Sequence, residues 1–482
     1  MSKKFLYGAA VQGIQSFIFQ TKELREIIGA SEMVEQICTK CFDEYVQTGE
    51  VLLQAAGNIK CEYSNQKECE KTVLEFPRKV MTYAPGITIS QAVEVYEKDE
   101  DYPMAAQQLE QKLRQQRNRP MRSQTLGMLG CWRAAASGMP IVSIENGNRL
   151  DAAIKQKTIH CEEKALCKKA FGMAVPADKF PYNLKDITSH NDWIAIIHID
   201  GNGLGKVVQK KGKNKRDFAN FSKNLNEATC TAAQATFMCL NEEYNLDKLS
   251  KLPIRPVVLG GDDLTIICRG DLAIDYTKTF IQLFEKKTEQ LVGTKLTACG
   301  GIAYIKSSYP FYYGYELAEQ LCKYAKEQAR EINADLTPSC LMFHKVQDSY
   351  INDYENDIIP RELLVGTEDA PTLSWAFGPY FTEHQDKFWT INKLQEIAAE
   401  LDGNEQVDNN AIKSHVRQWM TLMHDNPGLS VQHTERMTDI FGTKKQLLES
   451  VLGSVKRPNT NIPVCPAYDI MTYLTIKNQT TK

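Results

Sequence analysis

The residues best suited to chemistry in this sequence are three aspartates that stand next to glycines. Two of them belong to a Gly-Gly-Asp-Asp segment between short apolar runs, and the third ends an apolar run about sixty residues earlier. They are Asp200, Asp262 and Asp263. The apolar runs and glycines predict strand, tight turn and strand. Carboxylates at neighbouring strand ends suit Mg²⁺, so the pattern predicts a metal site that handles a nucleotide, with Asp262 and Asp263 catalytic.

The glycines beside these aspartates have predicted roles of their own. Gly260 and Gly261 permit a tight turn with positive φ and let a base or phosphate approach the backbone. After Asp200, a glycine-rich segment precedes a helix and offers backbone N–H groups to phosphate. The predicted contacts there are Gly201 to the metal and Asn202, Gly203 and Gly205 to the nucleotide. A Gly-Gly-Asp-Asp turn alone is more often a plain hairpin. Its combination with Asp200 and the glycines that follow favours a functional site.

The elements that must position these residues read as a β-α-β-β-α-β unit over residues 192–305. Apolar residues recur every three or four positions between 218 and 239 and again from 276, as on helices that cover a sheet. This order is typical of the ferredoxin-like plan, on which polymerase palms and nucleotide cyclases are built. In that plan the first strand lies beside the hairpin, so the three aspartates are expected to converge.

The order recurs more faintly near the N-terminus, where the equivalent turn, Gly57-Asn58, has no acid. We therefore predict an α+β protein with two ferredoxin-like palm domains, each with an antiparallel sheet, and a C-terminal helical domain. Residues 1–98 form the first palm, without metal acids, and 99–180 an irregular connection. Residues 181–350 form the second palm, and 351–482 the helical domain.

Composition limits the classes of function. The 482 residues carry a formal net charge of −3, so a large nucleic-acid surface is not indicated. No apolar run is long enough for a membrane span, and the N-terminus has no signal-peptide pattern. Fourteen scattered cysteines, many within apolar runs, indicate reduced thiols in a cytoplasmic protein.

A zinc site is not indicated, although four residues of the connecting region are the types that bind zinc. Their spacing is irregular and lacks two regular pairs of ligands. These weak candidates are Cys131, His160, Cys161 and Cys167.

The motifs at both palms resemble those of a known family, the large subunit of type III CRISPR effectors. The second palm carries Ile199–Gly205, Gly260–Leu264 and the stretch from Leu317 to Lys326. Gly13–Phe19 and Ile28–Ser31 are similar to the first palm of that family, and Pro466–Asp469 fits its closing helical region. Diguanylate cyclases share the palm more distantly.

The resemblance implies a nucleotidyltransferase that joins ATP into cyclic oligoadenylate, an antiviral messenger. Asp200, Asp262 and Asp263 would hold two Mg²⁺ or Mn²⁺ ions, and Gly260 and Gly261 would border the nucleotide. Lys326 would meet the triphosphate. Ser31 would lie near a second ATP, because the two palms face each other.

Three departures from the family pattern modify these expectations. Family members often begin with an HD-type nuclease domain, whereas the palm pattern here begins with the first residues. The resemblance therefore implies a member without that domain and without DNA cleavage. The four-cysteine zinc ribbon between the palms is eroded, and Asn202 stands where many members have an acid.

Two other functions stay open from the sequence. One is a structural large subunit of an RNA-guided complex, with other effector subunits and guide or target RNA as partners. The other is a stand-alone homodimeric cyclase that makes a cyclic dinucleotide. Base preference, ring size and activating signal leave no local pattern in the sequence.

Overall fold

The computed structural model describes residues 3–479, except 22, 56, 120–129, 136, 146, 189–191, 213, 349–352, 368–369, 404–406 and 458–460. Two larger sheets organise this part of the chain, one of four strands and one of six. A continuous apolar core includes residues of both sheets and of the C-terminal helices.

The first sheet has the ferredoxin-like topology that the sequence predicts. Its elements are β1 (Lys4–Gln12), α1 (Ile14–Phe19), α2 (Leu24–Cys38), α3 (Lys40–Asp43), β2 (Glu50–Ala55), β3 (Asn58–Tyr63), α4 (Gln66–Tyr83) and β4 (Thr88–Tyr96). The strand order is β2-β3-β1-β4, with antiparallel pairs throughout. Helix α2 ends at Cys38. Thr39 leaves helical geometry there and donates its hydroxyl to the carbonyl of Glu35.

The connection after the first sheet is more regular than its sequence suggests. It contains α5 (Tyr102–Arg117), β5 (Ile141–Glu145), β6 (Asn148–Asp151), α6 (Ala152–His160), α7 (Ala165–Phe171) and α8 (Leu184–Ile187). Helix α5 buries an apolar stripe that includes Leu109 and Leu113. These side chains lie against Gly8 of β1, where an added Cβ would be 2.9 Å from Leu109. The sequence does not predict this helix because many polar residues separate the apolar residues of the stripe.

The second sheet also has the predicted β-α-β-β-α-β order. Its elements are β7 (Trp193–Gly201), α9 (Leu204–Lys211), α10 (Lys215–Tyr244), β8 (Ile254–Gly260), β9 (Asp263–Arg269), α11 (Ala273–Val292), β10 (Ala298–Lys306), α12 (Phe311–Ile332) and β11 (Cys340–Lys345). The strand order is β11-β10-β7-β9-β8. Strand β7 pairs with β9 and β10 in antiparallel fashion, whereas β11 lies parallel to β10.

The C-terminal part is mainly helical, as predicted. It contains a π-helical segment (Tyr354–Leu363), β12 (Leu364–Thr367), β13 (Ala370–Ser374), β14 (Tyr380–Phe381), α13 (Ile391–Asp402), α14 (Val407–Asp425), α15 (Pro427–Ile440), α16 (Lys445–Leu452) and α17 (Ala467–Lys477). Strand β14 pairs with β11 and becomes the sixth strand of the second sheet. Helix α15 follows α14 after Asn426, whose side chain caps it.

The state of the cysteines and the character of the helices can be compared with the sequence-based expectations. All fourteen cysteines are free thiols. In the part of the chain that the structure describes, no helix combines the length and apolar character that crossing a bilayer requires.

Candidate functional site

The three aspartates converge at one end of the second sheet. Asp200 lies near the end of β7, Asp263 starts β9, and Asp262 belongs to the turn that precedes it. One carboxylate oxygen from each residue lies within 4.8 Å of the others. The antiparallel pairing of β7 with β9, which places Ile199 opposite Leu264, produces this convergence.

Burial and neighbouring charge make Asp262 and Asp263 hard to ionise. Burial, followed by the carboxylate of Asp200, raises the pKa of Asp262 to about 6. Burial and then the charges of Asp262 and Asp200 hold the pKa of Asp263 well above its ordinary value. Three carboxylates so close together favour either bound protons or bound cations.

Lys326 supplies a positive charge next to the aspartates. It lies on α12, and its ammonium group donates to the carboxylate of Asp200 and, at 2.6 Å, to the carbonyl oxygen of Gly201. The lysine side chain is only 12% exposed. The structure therefore brings Lys326 into the predicted site, where it compensates part of the charge on Asp200.

The turn between β8 and β9 depends on its glycines and on one buried hydroxyl. Gly261 has a φ of 64°, which glycine adopts with little strain. Thr229 of α10 donates its hydroxyl to the carbonyl oxygen of Gly261 at 2.5 Å. At Gly201, an added Cβ would lie 2.8 Å from the Cβ of Asp262, so only glycine leaves that aspartate in place.

The segment after Asp200 turns into α9. Gly203, with a φ of 68°, is the residue that precedes the helix, and an added Cβ at Gly203 or Gly205 would meet open space. Asn202 is 5% exposed, and its amide nitrogen donates to the hydroxyl of Thr297 at 3.2 Å. Nucleotide contacts by these three residues stay predictions.

A narrow cleft between the two palms reaches the site. Ser31 and Glu35 of α2 line one wall, and Asp263, His198 and Tyr315 line the other. The hydroxyl of Ser31 donates to the carbonyl oxygen of Ile27 at 2.9 Å. The cleft has a volume of about 80 Å³, whereas pockets for small ligands typically have roughly 300–1,000 Å³. A nucleotide must therefore lie at its open rim or separate the palms.

Three residues near the aspartates were not selected from the sequence. Burial lowers the pKa of His198 to about 4, and burial followed by the charges of Glu316 and Asp200 raises the pKa of Glu319. Tyr315 stacks on Phe19 of the first palm with ring centroids 4.3 Å apart. Two spacings in the sequence could have indicated these residues. Tyr315 and Glu319 are one helical turn apart and so share a helix face, and His198 and Asp200 are two residues apart on a strand and so share a sheet face.

The four zinc candidates do not gather into a ligand cluster among the described residues. Cys131 is exposed, whereas Cys161 and Cys167 are buried. Nδ1 of His160 lies 2.7 Å from the carboxylate of Glu163.

Part of the chain matches a known protein family. Residues 193–334 match the family model of Cas10/Cmr2, second palm domain. No curated protein matches the sequence.

Among solved structures, a Csm1–Csm4 cassette in complex with cA4 is similar over 99% of this chain and 70% of that chain, with 12% identity and a TM-score of 0.58. The cassette in complex with AMPPNP gives 13% identity, the same two coverages and a TM-score of 0.57. The Csm1–Csm4 subcomplex of the type III-A CRISPR-Csm interference complex gives 13% identity, again the same coverages, and a TM-score of 0.52. The family model confirms the resemblance to the type III large-subunit family over the second palm, and the structural matches confirm the α+β fold with palm domains.

Proposed function

We propose that this protein is a type III effector large subunit that condenses ATP into cyclic oligoadenylate and releases pyrophosphate. The observation that carries the proposal is the convergence of Asp200, Asp262 and Asp263 within the region that matches the second palm. Solved relatives of the same fold were crystallised with cA4, cA3 and AMPPNP, which supports nucleotide binding here. Other effector subunits and guide or target RNA are its proposed partners.

The chemistry of the cluster fits Mg²⁺ or Mn²⁺. Its donors are carboxylate oxygens, which these hard cations prefer, and a bound cation would offset the burial and mutual repulsion that raise the pKa values of Asp262 and Asp263. Asp200, Asp262 and Asp263 would hold the ions, and the carbonyl oxygen of Gly201 shares the ammonium group of Lys326 with Asp200. Bound there, such ions neutralise the triphosphate and activate the attacking hydroxyl.

The residues of the chain position the reactants. In the proposed reaction, the 3′-hydroxyl of one ATP attacks the α-phosphate of another, and pyrophosphate leaves. Asp263 and Ser31 line the same cleft from opposite palms, so an ATP beside Ser31 would present its hydroxyl towards the aspartates. Lys326 would transfer its hydrogen bonds from Asp200 to the phosphates as the nucleotide enters. The backbone at Gly203 and Gly205, at the start of α9, would border the phosphate chain.

The direct test is to incubate the purified full chain with each nucleoside triphosphate and Mn²⁺ and to identify the products by mass spectrometry. We expect cyclic oligoadenylate from ATP and none from the double variant Asp262→Ala/Asp263→Ala. Asp386→Ala, which changes a fully exposed acid, is the control. Unchanged synthesis by the double variant would defeat the proposal. A cyclic dinucleotide from a dimer, or co-purified RNA without synthesis, would favour the alternatives given above.

A further inference from the structure

A lysine outside both palms contacts the strand that leads into the aspartate turn. Nζ of Lys169, on α7, donates to the carbonyl oxygen of Leu259 at 2.7 Å. Leu259 is the last residue before the Gly260–Asp263 segment. Among the described strands, β8 is the outermost of its sheet on this side, so its outward carbonyls face no paired strand there. Lys169 therefore supplies a hydrogen bond that the sheet does not.

The same lysine contacts the first palm. Its Nζ lies 3.0 Å from Oε1 of Glu35, which is on α2 and lines the cleft that Asp263 also lines. The side chains of Lys169 and Glu35 are 19% and 20% exposed. Partial burial makes such a pair stronger than one on the open surface, because water screens it less. One ammonium group thus joins a carboxylate of the first palm to a backbone carbonyl of the second.

The helix that carries Lys169 is itself fixed from both sides. The carboxylate of Glu32 accepts the backbone N–H groups of Ala165 and Leu166, at the start of α7, at 3.0 and 3.3 Å. From the second palm, Gln234 of α10 donates its amide to the carbonyl oxygen of Lys169 at 3.0 Å. The position of Lys169 therefore depends on contacts with both palms.

Two hydrogen bonds consequently hold the turn at separate points. Lys169 binds the carbonyl of Leu259 before the glycines, and Thr229 binds the carbonyl of Gly261 just before Asp262. Losing either bond frees one side of a turn whose carboxylates must meet Asp200. A misplacement of about 1 Å can reduce an enzymatic rate roughly a hundredfold.

We infer that Lys169 is a positioning residue for the proposed ATP condensation, and that Glu35 holds it there, so that the first palm sets the geometry of the aspartates on the second. The inference rests on the proposed function. It adds a role for the connecting region. Lys169 acts there through Glu35 and the carbonyl oxygen of Leu259, and not by bonding one of the three aspartates.

The test compares Lys169→Met, Lys169→Arg and Glu35→Gln with the wild-type full chain. Lys168→Met, which changes an exposed lysine one position away on α7, is the matched control. The measurements are kcat and KM for ATP, the Mn²⁺ affinity from electron paramagnetic resonance, and the melting temperature.

We expect Lys169→Met to lower kcat by about tenfold to a hundredfold, with KM nearly unchanged and Mn²⁺ bound more weakly. Arginine should restore most of kcat, because it donates to both partners. The losses in Glu35→Gln and Lys169→Met should not add in the double variant, because both remove one linkage.

Several results would overturn the inference. Wild-type kcat in Lys169→Met is one, and a rise in KM alone is another, since it would mean that Lys169 contacts the nucleotide directly. Failure of arginine to restore activity, together with a lowered melting temperature, would indicate a purely structural role. If the wild type makes no product from any nucleotide, the proposed function fails, and the Mn²⁺ affinities of the variants alone then decide the positioning role.

Discussion

The guanidinium group of Arg255 lies 3.8 Å from the carboxylate of Glu32, and both side chains are almost completely buried. Arg255 belongs to β8 of the second palm and Glu32 to α2 of the first, so the ion pair crosses the interface between them. Arg255 also lies over the ring of Tyr182 at 5.5 Å. A buried pair of this kind fixes how the palms meet, although removing both charges from water offsets much of its attraction.

Breaking this pair on one side should destabilise the protein strongly. At pH 9, above the pKa of Glu32, Arg255→Met leaves the Glu32 carboxylate buried without its cation, which costs about 3 kcal/mol. The double variant Glu32→Gln/Arg255→Met should recover most of that loss, because no charge then stays buried. Urea unfolding of the two variants and the wild type measures the difference, and equal stability of the wild type and Arg255→Met would contradict the prediction.

The same carboxylate should make stability depend on pH. Burial raises the pKa of Glu32 from 4.5 to about 7, so the folded state binds a proton more tightly than the unfolded state does. Stability should therefore fall as the pH rises from about 4.5 to 7 and level off above that range. Relative to Glu32→Gln, the wild type should lose about 3 kcal/mol between pH 4.5 and 8. Parallel unfolding profiles of the two proteins would refute this.

Gly201→Ala should damage the site without unfolding the protein. The new Cβ would lie 2.8 Å from the Cβ of Asp262 and 3.0 Å from its carboxylate, so Asp262 must shift from its present position. We expect ATP condensation to fall by at least about tenfold, with a far smaller change in melting temperature. Gly442→Ala, where an added Cβ meets nothing within 4 Å, is the control. Wild-type activity in Gly201→Ala would show that Asp262 tolerates the shift.

Lys326→Met should test the charge balance of the site. The ammonium group that bonds Asp200 is lost, so synthesis should fall by about a hundredfold or more. Without Lys326, the three carboxylates repel one another more, and Mn²⁺ should raise the melting temperature by more than it does in the wild type. Lys323→Met changes an exposed lysine on the same helix and serves as the control. An unaltered rate would remove Lys326 from the proposed mechanism.

The sequence predicts the second palm and the meeting of its aspartates because every signal needed is local. Apolar runs, a glycine turn and helical periodicity define the elements, and the known topology of their order places Asp200 beside the hairpin. No such signal exists for Lys169. Its two partners are 134 and 90 residues away along the chain, and only the packed structure brings them together.

The connecting region shows the same limit in its secondary structure. Helix α5 has a polar sequence with Leu109 and Leu113 as parts of a thin stripe, and that stripe becomes recognisable only against β1. The narrowness of the cleft was equally unpredictable, because it depends on how closely the faces of two distant helices and strands approach. The sequence therefore predicts that the three aspartates meet, but it does not predict the volume of the cleft beside them.

The pairing of β14 with β11 has a practical consequence for isolating the second palm. A fragment restricted to 193–334 would remove both strands and leave the outer backbone of β10 bare. Such an exposed edge is a template for intermolecular pairing, so the excised piece should aggregate rather than fold as a well-behaved monomer. A workable excision must run at least to Phe381.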